Sequence, residues 1–385
     1  MREAGAYVHI PFCEAKCGYC DFLSFPASPS VGGDMRGAYA AALAEEIGGF
    51  RAARIPGHPE IPAISTVYVG GGTPSCLSAR DLSTVLRAVA GLPLKPGFAE
   101  FTVEANPGTI TDEKLALMRA CGANRLSIGL QSCIDSELRT LGRAHRFAQF
   151  LEGYGKAREA GFGSVNVDLM FGIPGQTARN FRESLETVLA LGPEHVSFYS
   201  LTPCEGTPLW ESLESGELAM PDDETDRNMY ALACQMLAGA GYFHYEISNA
   251  AKPGFECRHN MDCWLRRPYF GFGLGAHSFD GDGMRWSNPE DFVGYFAKEK
   301  PRPERLSRAG AVSEAMFLGL RLLSGVDEAG FLARYGVSPM SRFGPKIERL
   351  AGSGLIARAG GRIRLTPAGL DLANRVFAEF LESGE

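Results

Sequence analysis

Between residues 6 and 201, short apolar runs alternate with longer stretches whose apolar positions recur every three or four residues. The runs Ala6–Ile10, Thr66–Val69, Phe101–Ala105, Arg125–Gly129, Ser164–Leu169 and Val196–Leu201 read as strands. Between them, Asp34–Ile47, Ala79–Val89, Thr111–Cys121, Phe147–Ala160 and Ala178–Leu189 read as amphipathic helices. Ser78-Ala-Arg-Asp81 opens the second helix as a capping box. Strands alternating with helices predict βα units and a parallel sheet. Six such units predict an α/β fold, a partial (β/α)6 barrel of the TIM type.

Ligand-binding groups of such barrels stand at the C-terminal ends of the strands. Five of the six predicted strands end in segments suited to chemistry. The first leads into Cys13, Cys17 and Cys20, and the second into Gly70-Gly71-Gly72-Thr73-Pro74-Ser75. The third ends at Glu104-Ala-Asn106-Pro107-Gly108, the fourth at Gln131-Ser132, and the fifth at Asp168-Leu-Met-Phe-Gly172-Ile-Pro174-Gly175. The sixth ends near Ser200 and Thr202, which are merely polar.

Beyond Pro203 the pattern changes. Asp222–Ala240 reads as a long helix, Tyr245-Glu-Ile-Ser-Asn249 as a strand, and Lys300-Pro-Arg-Pro-Glu304 as a linker. Glu314–Leu323 and Met340–Gly352 read as helices, and Leu355–Arg358 with Arg362–Leu365 as a hairpin around Gly360-Gly361. Thr366-Pro-Ala-Gly-Leu opens a last helix. The expected division is a barrel with its extension over residues 1–299 and a small winged-helix-like C-terminal domain over residues 306–385. The C-terminal segment carries ten Lys/Arg and eight Asp/Glu, too even a balance for a DNA-binding face.

Composition narrows the class further. The chain has 385 residues, a net charge of −7 and 45% hydrophobic residues, which disfavours nucleic acid as a partner. No apolar run is long enough for a transmembrane span, and no secretory signal precedes Tyr7. Ten cysteines in such a chain are expected to be reduced thiols in the cytoplasm.

Cys13, Cys17 and Cys20 follow a C-x3-C-x2-C spacing. Zinc sites want four ligands and usually paired cysteines, and no second pair stands at a matching distance. His9 is placed to pack on the apolar run before Cys13. Three thiolates can instead hold three irons of a [4Fe–4S] cluster and leave the fourth open. Cys76, Cys121, Cys133, Cys204 and Cys234 have no ligand spacing and read as small buried hydrophobes. His277 reads as either structural or pocket-lining.

The cysteine segment, from Tyr7 to Phe22, resembles the radical-SAM superfamily. That resemblance implies S-adenosylmethionine (SAM) chelated on the open iron and cleaved by one electron to an adenosyl radical. It also implies that Gly71, Gly72 and Thr73 lie at the SAM amino group, and that Glu104, Gln131, Arg143 and Asp168 line the SAM pocket. Tyr7 matches a SAM-contacting tyrosine, and Tyr19 is expected to stack near adenine. Carboxylates suit ribose hydroxyls and an ammonium, and Arg143 suits a carboxylate.

The likeness is closer still to the oxygen-independent coproporphyrinogen III oxidase-like family. It is carried by His9-Ile-Pro-Phe-Cys13, Val103-Glu-Ala-Asn-Pro107, Asn124–Ser132, Leu141-Gly-Arg-Ala-His145, Asn166–Gly175, Tyr245–Asn249 and Gly273–Ser278. The dehydrogenases of that family carry a further cysteine two residues after the third and a longer N-terminal extension. Here the position is Phe22, and only twelve residues precede Cys13. Both features resemble the haem-chaperone branch, as does Arg258-His259-Asn260-Met-Asp-Cys263-Trp264, although a tyrosine usually stands where Cys263 does. The resemblance implies haem as cargo, with His259 and Cys263, or Cys257, as its candidate ligands. It implies haem-accepting proteins and an electron donor as partners, with peripheral contact to membrane haem proteins. The alternatives are an anaerobic coproporphyrinogen III dehydrogenase and a haem-directed radical-SAM methyltransferase.

Overall fold

The computed structural model describes residues 3–26, 35–50, 62–98 and 100–381. The six expected strands are present as Glu3–Ile10 (β1), Ala63–Gly71 (β2), Glu100–Ala105 (β3), Arg125–Gln131 (β4), Ser164–Phe171 (β5) and His195–Ser200 (β6). They pair in that order, all parallel. The connecting helices are Met35–Gly49 (α1), Ala79–Ala90 (α2), Asp112–Ala120 (α3), the short Asp135–Thr140 (α4), Phe147–Glu159 (α5) and Ala178–Leu191 (α6). Asp34, the expected start of the first helix, lies outside the described residues.

The strands alternate with a period of two, as a pleated chain must. Their outward residues, such as Val67, Val69, Val103, Leu126, Ile128, Val165, Val167 and Phe198, are buried in one apolar core. The helices supply its other half. In α2 the buried Leu82, Val85, Leu86 and Val89 share one face, and Ser78 caps the first turn through the Asp81 amide at 3.1 Å. Truncating one such leucine costs about 2–5 kcal/mol. The intervening, inward residues are polar: Tyr68, Glu104, Arg125, Ser127, Asn166, Asp168, Ser197 and Tyr199 all line an interior cavity.

After β6 come Pro208–Glu214 (α7) and the expected long helix, Asp223–Gly239 (α8), with Asp222 capping its start. The segment Tyr245–Asn249 is not one strand. Phe243–Glu246 (β7) and Asn249–Ala251 (β8) form an antiparallel hairpin with Ile247 and Ser248 at its turn. The Glu246 carboxylate accepts from the Ser248 amide and the Asn249 side chain and so closes that turn. The hairpin extends the sheet beyond β6.

The short helix Arg258–Trp264 (α9) precedes a seventh parallel strand, Tyr269–Phe272 (β9), which joins the free side of β1 with Ala6 opposite Phe270. Antiparallel His277–Phe279 (β10) and Met284–Ser287 (β11) follow; then, after the short helix Phe292–Phe296 (α10), Arg302–Arg305 (β12). The expected linker at Lys300–Glu304 is thus largely the sheet's outermost strand. All four β12 residues are exposed, so no apolar alternation announces it. Pro303 is tolerated there because an edge needs no further donor.

The C-terminal segment has its own apolar core, including Val312, Met316, Phe331, Phe343, Ile347, Ile363, Val376 and Phe380. Its elements are Arg308–Gly319 (α11), Val326–Asp327 (β13), Glu328–Tyr335 (α12), Pro339–Gly352 (α13), Ile356–Ala359 (β14) and Arg362–Leu365 (β15), a winged-helix-like order. Gly360 and Gly361 both have positive φ, 59° and 72°, as a two-residue hairpin turn requires. The expected last helix is broken at Leu372 into Pro367–Asp371 (α14) and Ala373–Phe380 (α15).

One carboxylate joins this module to the sheet. Glu314 of α11 accepts 2.5 Å bonds from Arg266, only 3% exposed, and from Arg285. Removing one member of a buried ion pair leaves its partner charged and uncompensated. Glu314→Ala is therefore expected to destabilise the protein by about 3–5 kcal/mol. Chemical denaturation should show this, with Glu314→Gln losing less.

Candidate functional site

The cavity opens where the parallel strands end and has a volume of about 350 Å³. Cys13, Cys17 and Cys20 line its mouth together with Gly71, Gly72, Thr73 and Phe22. Glu104, Gln131, Arg143, Asp168 and Tyr19 line it as well. Most of the residues singled out from the sequence therefore meet in one place, contributed by five strands.

The cysteine loop is held in shape by backbone. The Gly18 amide donates to the Leu141 carbonyl (3.0 Å), the Leu209 amide to the Gly18 carbonyl (2.8 Å), and the Cys20 amide to the Cys17 carbonyl (3.2 Å). Gly142 has φ 69°, and a Cβ there would stand 2.9 Å from the Gly18 nitrogen. On the other side, the amides of Gly72 and Thr73 donate to the carbonyls of Ile10 (2.8 Å) and Phe12 (2.7 Å). A Cβ on Gly72 would stand 2.7 Å from the Phe12 oxygen. The Gly71 amide donates to Glu104. The glycine run thus lets the second strand end press against the cysteine loop, and its amides are engaged within the protein.

Side chains also turn toward the thiols. Thr73 Oγ1 donates to Cys13 Sγ (3.6 Å) and Arg143 Nη1 to Cys17 Sγ (3.5 Å). Arg143 Nη2 donates to the Gly129 carbonyl (2.6 Å), and its buried Nε has no partner. Among the described residues no three His, Cys, Asp or Glu side chains are close enough to hold one metal ion. Three free thiols around one cavity, with cationic and hydroxyl donors on their sulfurs, fit a cluster with separate irons better than a single ion.

Two buried carboxylates, Glu104 and Asp168, stand in the lining of the cavity. Glu104 accepts from the Tyr68 hydroxyl (2.6 Å) and the Gly71 amide (3.2 Å). Burial, with the nearby Asp168 charge adding to it, pushes its carboxyl up to about 7. Asp168 is likewise raised by burial, against the bond from Asn166 Nδ2 at 2.7 Å. Behind it, the Asn166 amide oxygen accepts from Ser197 and from His195 Nδ1, and His195 Nε2 then accepts from the Tyr245 hydroxyl. Burial holds His195 neutral, so this chain orients Asp168 without charge of its own. Gln131 accepts from the Tyr199 hydroxyl (3.1 Å) and has φ 74°, an uncommon backbone for a residue with a Cβ, at a bulge in the β4–β5 register.

Asn106 and Asn260, quoted above only within longer segments, also line the cavity, and so does Arg125, which the sequence reading did not single out. Arg125 lies in an apolar strand pattern, where its charge is an anomaly that could have signalled a polar interior. Tyr7 is not part of the lining. It stacks on Tyr68 and donates to His9 Nδ1 (2.9 Å), while His9 Nε2 donates to the Leu23 carbonyl (2.9 Å). His9 therefore ties the cysteine loop to β1.

His259 and Cys263, the candidate haem ligands, lie outside the lining of this cavity. Both belong to α9, whose start is bonded to Glu100: the amides of Arg258 (2.8 Å) and His259 (3.2 Å) and the Cys257 thiol (3.4 Å) all donate to its carboxylate. The His259 ring pairs Nδ1 with Thr66 Oγ1 (3.0 Å) and stacks on Tyr68 (5.4 Å). Burial pushes the imidazole down to about 4 and the Cys263 thiol up to about 12. Neither lines the cavity; they help close the barrel beneath it. His277 is exposed. Of the cysteines read as buried, Cys76 is buried, whereas Cys121, Cys133, Cys204 and Cys234 are half-buried. No described helix is long and apolar enough to cross a membrane.

Comparison with known proteins places this geometry. The radical SAM superfamily profile matches residues 7–188, and the HemN C-terminal domain profile residues 306–372. Heme chaperone HemW of Bacillus subtilis (strain 168) is 37% identical over 384 residues, 98% of either chain. Heme chaperone HemW of Mycobacterium tuberculosis (strain H37Rv) is 35% identical over 382 residues, 98% of this chain and 94% of that one. The solved structure of coproporphyrinogen III oxidase (HemN) from Escherichia coli, a radical SAM enzyme, superposes with a TM-score of 0.83 at 23% identity. That match covers 98% of this chain and 90% of the other, and it shows a shared fold. The chain belongs to the radical SAM superfamily, whose members use a [4Fe–4S] cluster and SAM, and within it to the family of the HemW proteins.

Proposed function

We propose that this protein is a haem chaperone: it holds a [4Fe–4S] cluster on Cys13, Cys17 and Cys20, takes SAM in the adjoining cavity, and passes haem to acceptor proteins. The observation that carries the reading is the near full-length likeness to the HemW proteins. Phe22 supports it from the structure. It stands at the cavity mouth, 64% exposed, where the dehydrogenases resembled by the sequence place another cysteine. An exposed aromatic at a cavity mouth suits an apolar cargo or partner.

When bound, the cluster supplies the electron that cleaves SAM reductively. The residues do the rest. The free Nε of Arg143 suits the SAM carboxylate, Glu104 and Asp168 suit its ammonium and ribose hydroxyls, and Tyr19 bounds the adenine side. Burial of these groups excludes water. The segments 1–299 and 306–385 are proposed as the chaperone's two parts, acting in the cytoplasm with an electron donor and membrane-attached acceptors.

The deciding experiment offers the reconstituted protein haem and then an apo acceptor, and separately coproporphyrinogen III with SAM and reductant. The expected outcome is retention and release of intact haem with no vinyl-bearing product. Appearance of that product would establish the dehydrogenase instead. In haem titrations, His259→Ala is expected to lower Tm while leaving haem affinity and absorption unchanged. Loss of the haem spectrum from a folded His259→Ala protein would restore His259 as a ligand reached by movement of α9.

Glu104 gives a pH test. Its folded-state pKa, about 7, lies above the unfolded value. The group's contribution to stability is therefore fully present below the unfolded pKa, and is lost as pH rises through about 7. Glu104→Gln should raise the Tm of the cofactor-free protein more at pH 8 than at pH 5. SAM binding by the parent protein should strengthen over that interval, and the Gln variant should lose about 1.5–3 kcal/mol of it at pH 8. A pH-independent difference between the two proteins would remove Glu104 from this role.

A further inference from the structure

We propose that the seam between the sheet's outer strands and the C-terminal module is a binding site for a phosphate group. A cleft of about 510 Å³ lies there and shares no lining residue with the cysteine cavity. Its walls carry four arginines: Arg305 at the end of β12, Arg308 opening α11, Arg334 in α12 and Arg266 just before β9. Asp282 is the one carboxylate among the lining residues. A guanidinium is planar and always charged, and its fork matches the oxygens of a phosphate.

Three of these arginines are already fixed in place. Arg334 donates to the carbonyls of Leu265 (2.6 Å) and Arg266 (2.5 Å), and Arg308 to that of Tyr335 (2.9 Å). Arg266 donates through Nε to Glu314 and through Nη1 to the Tyr335 hydroxyl (3.2 Å). Its Nη2 has no hydrogen-bond partner, although the residue is almost wholly buried. Its guanidinium also lies over the Phe279 ring, 4.8 Å from the ring centre.

The helix beside them adds to the same field. The first turn of α11 lines the cleft and contains no acidic residue. Ser307 caps it through the Gly310 amide (2.9 Å). A helix start with no acid of its own presents a positive end to an anion. Nucleic acid is disfavoured, because the chain has a net charge of −7 and the arginines form one cleft instead of a stripe. The phosphate is therefore that of a small molecule or a lipid headgroup.

The full-length protein would be titrated calorimetrically with pyrophosphate, and in a second arm sedimented with vesicles of phosphatidylglycerol or of phosphatidylcholine alone. Pyrophosphate is expected to bind, to raise Tm, and to bind more weakly as salt rises. Exposed Arg305 can be changed without touching a buried bond. Arg305→Glu should weaken binding on the order of tenfold or more, and Arg305→Lys less. Arg308→Ala should act in the same direction. If phosphatidylglycerol vesicles bind through these arginines and pyrophosphate does not, the phosphate belongs to a lipid. If neither probe binds, or if Arg305→Glu and Arg308→Ala proteins of unchanged fold bind as the parent does, the proposal is overturned.

Discussion

The carboxylate of Glu100 is the interaction on which the barrel's interior depends. It is buried at the start of β3, and it accepts from the backbone and thiol that open α9 and from Thr102. Arg125 donates to Thr102 Oγ1 (3.4 Å), and the nearby Glu100 charge is among those that favour its charged form. A charge buried without partners would cost several kcal/mol. By meeting several donors at once, Glu100 lets a parallel barrel carry charged side chains inward and also fixes the helix that stops its lower end. With that end stopped, the cavity faces the strand ends where the cysteines stand.

The stopper is itself clamped from below. Arg321 lies over the Trp264 ring at 4.3 Å, and Arg334 reaches the carbonyls that follow α9. The Ile247 amide donates to the Arg321 carbonyl, and the Leu323 amide to that of Tyr245. The C-terminal module therefore braces both α9 and the β7–β8 hairpin. Residues far apart along the chain come to control the same cavity floor.

The barrel was legible in the sequence because its outward strand residues are Val, Leu, Ile and Phe, and its helices repeat apolar residues at helical spacing. Strand β9 was not, since Tyr-Phe-Gly-Phe is short and joins β1 from far along the chain. Strand β12 hid behind two prolines and full exposure. The cavity residues were legible at the strand ends, where Glu104, Gln131 and Asp168 interrupt apolar runs. The inner polar layer was not, because Tyr68, Ser127 and Asn166 look like ordinary strand alternation until the strands curve. His259 illustrates the limit of a motif: the segment is placed as a unit, and it is Asn260, its neighbour, that reaches the cavity.

The backbone clamp on the cysteine loop has a further consequence. Ordering a residue from a free chain costs about 1–2 kcal/mol in conformational entropy. Here the bonds from Gly18 to Leu141 and from Leu209 to Gly18, with Gly142 packed against them, fix the loop's path to the barrel. The three thiols are therefore presented on backbone that belongs to the barrel, so a substitution at residues 141–143 or 209 reaches the cysteine loop without touching a sulfur.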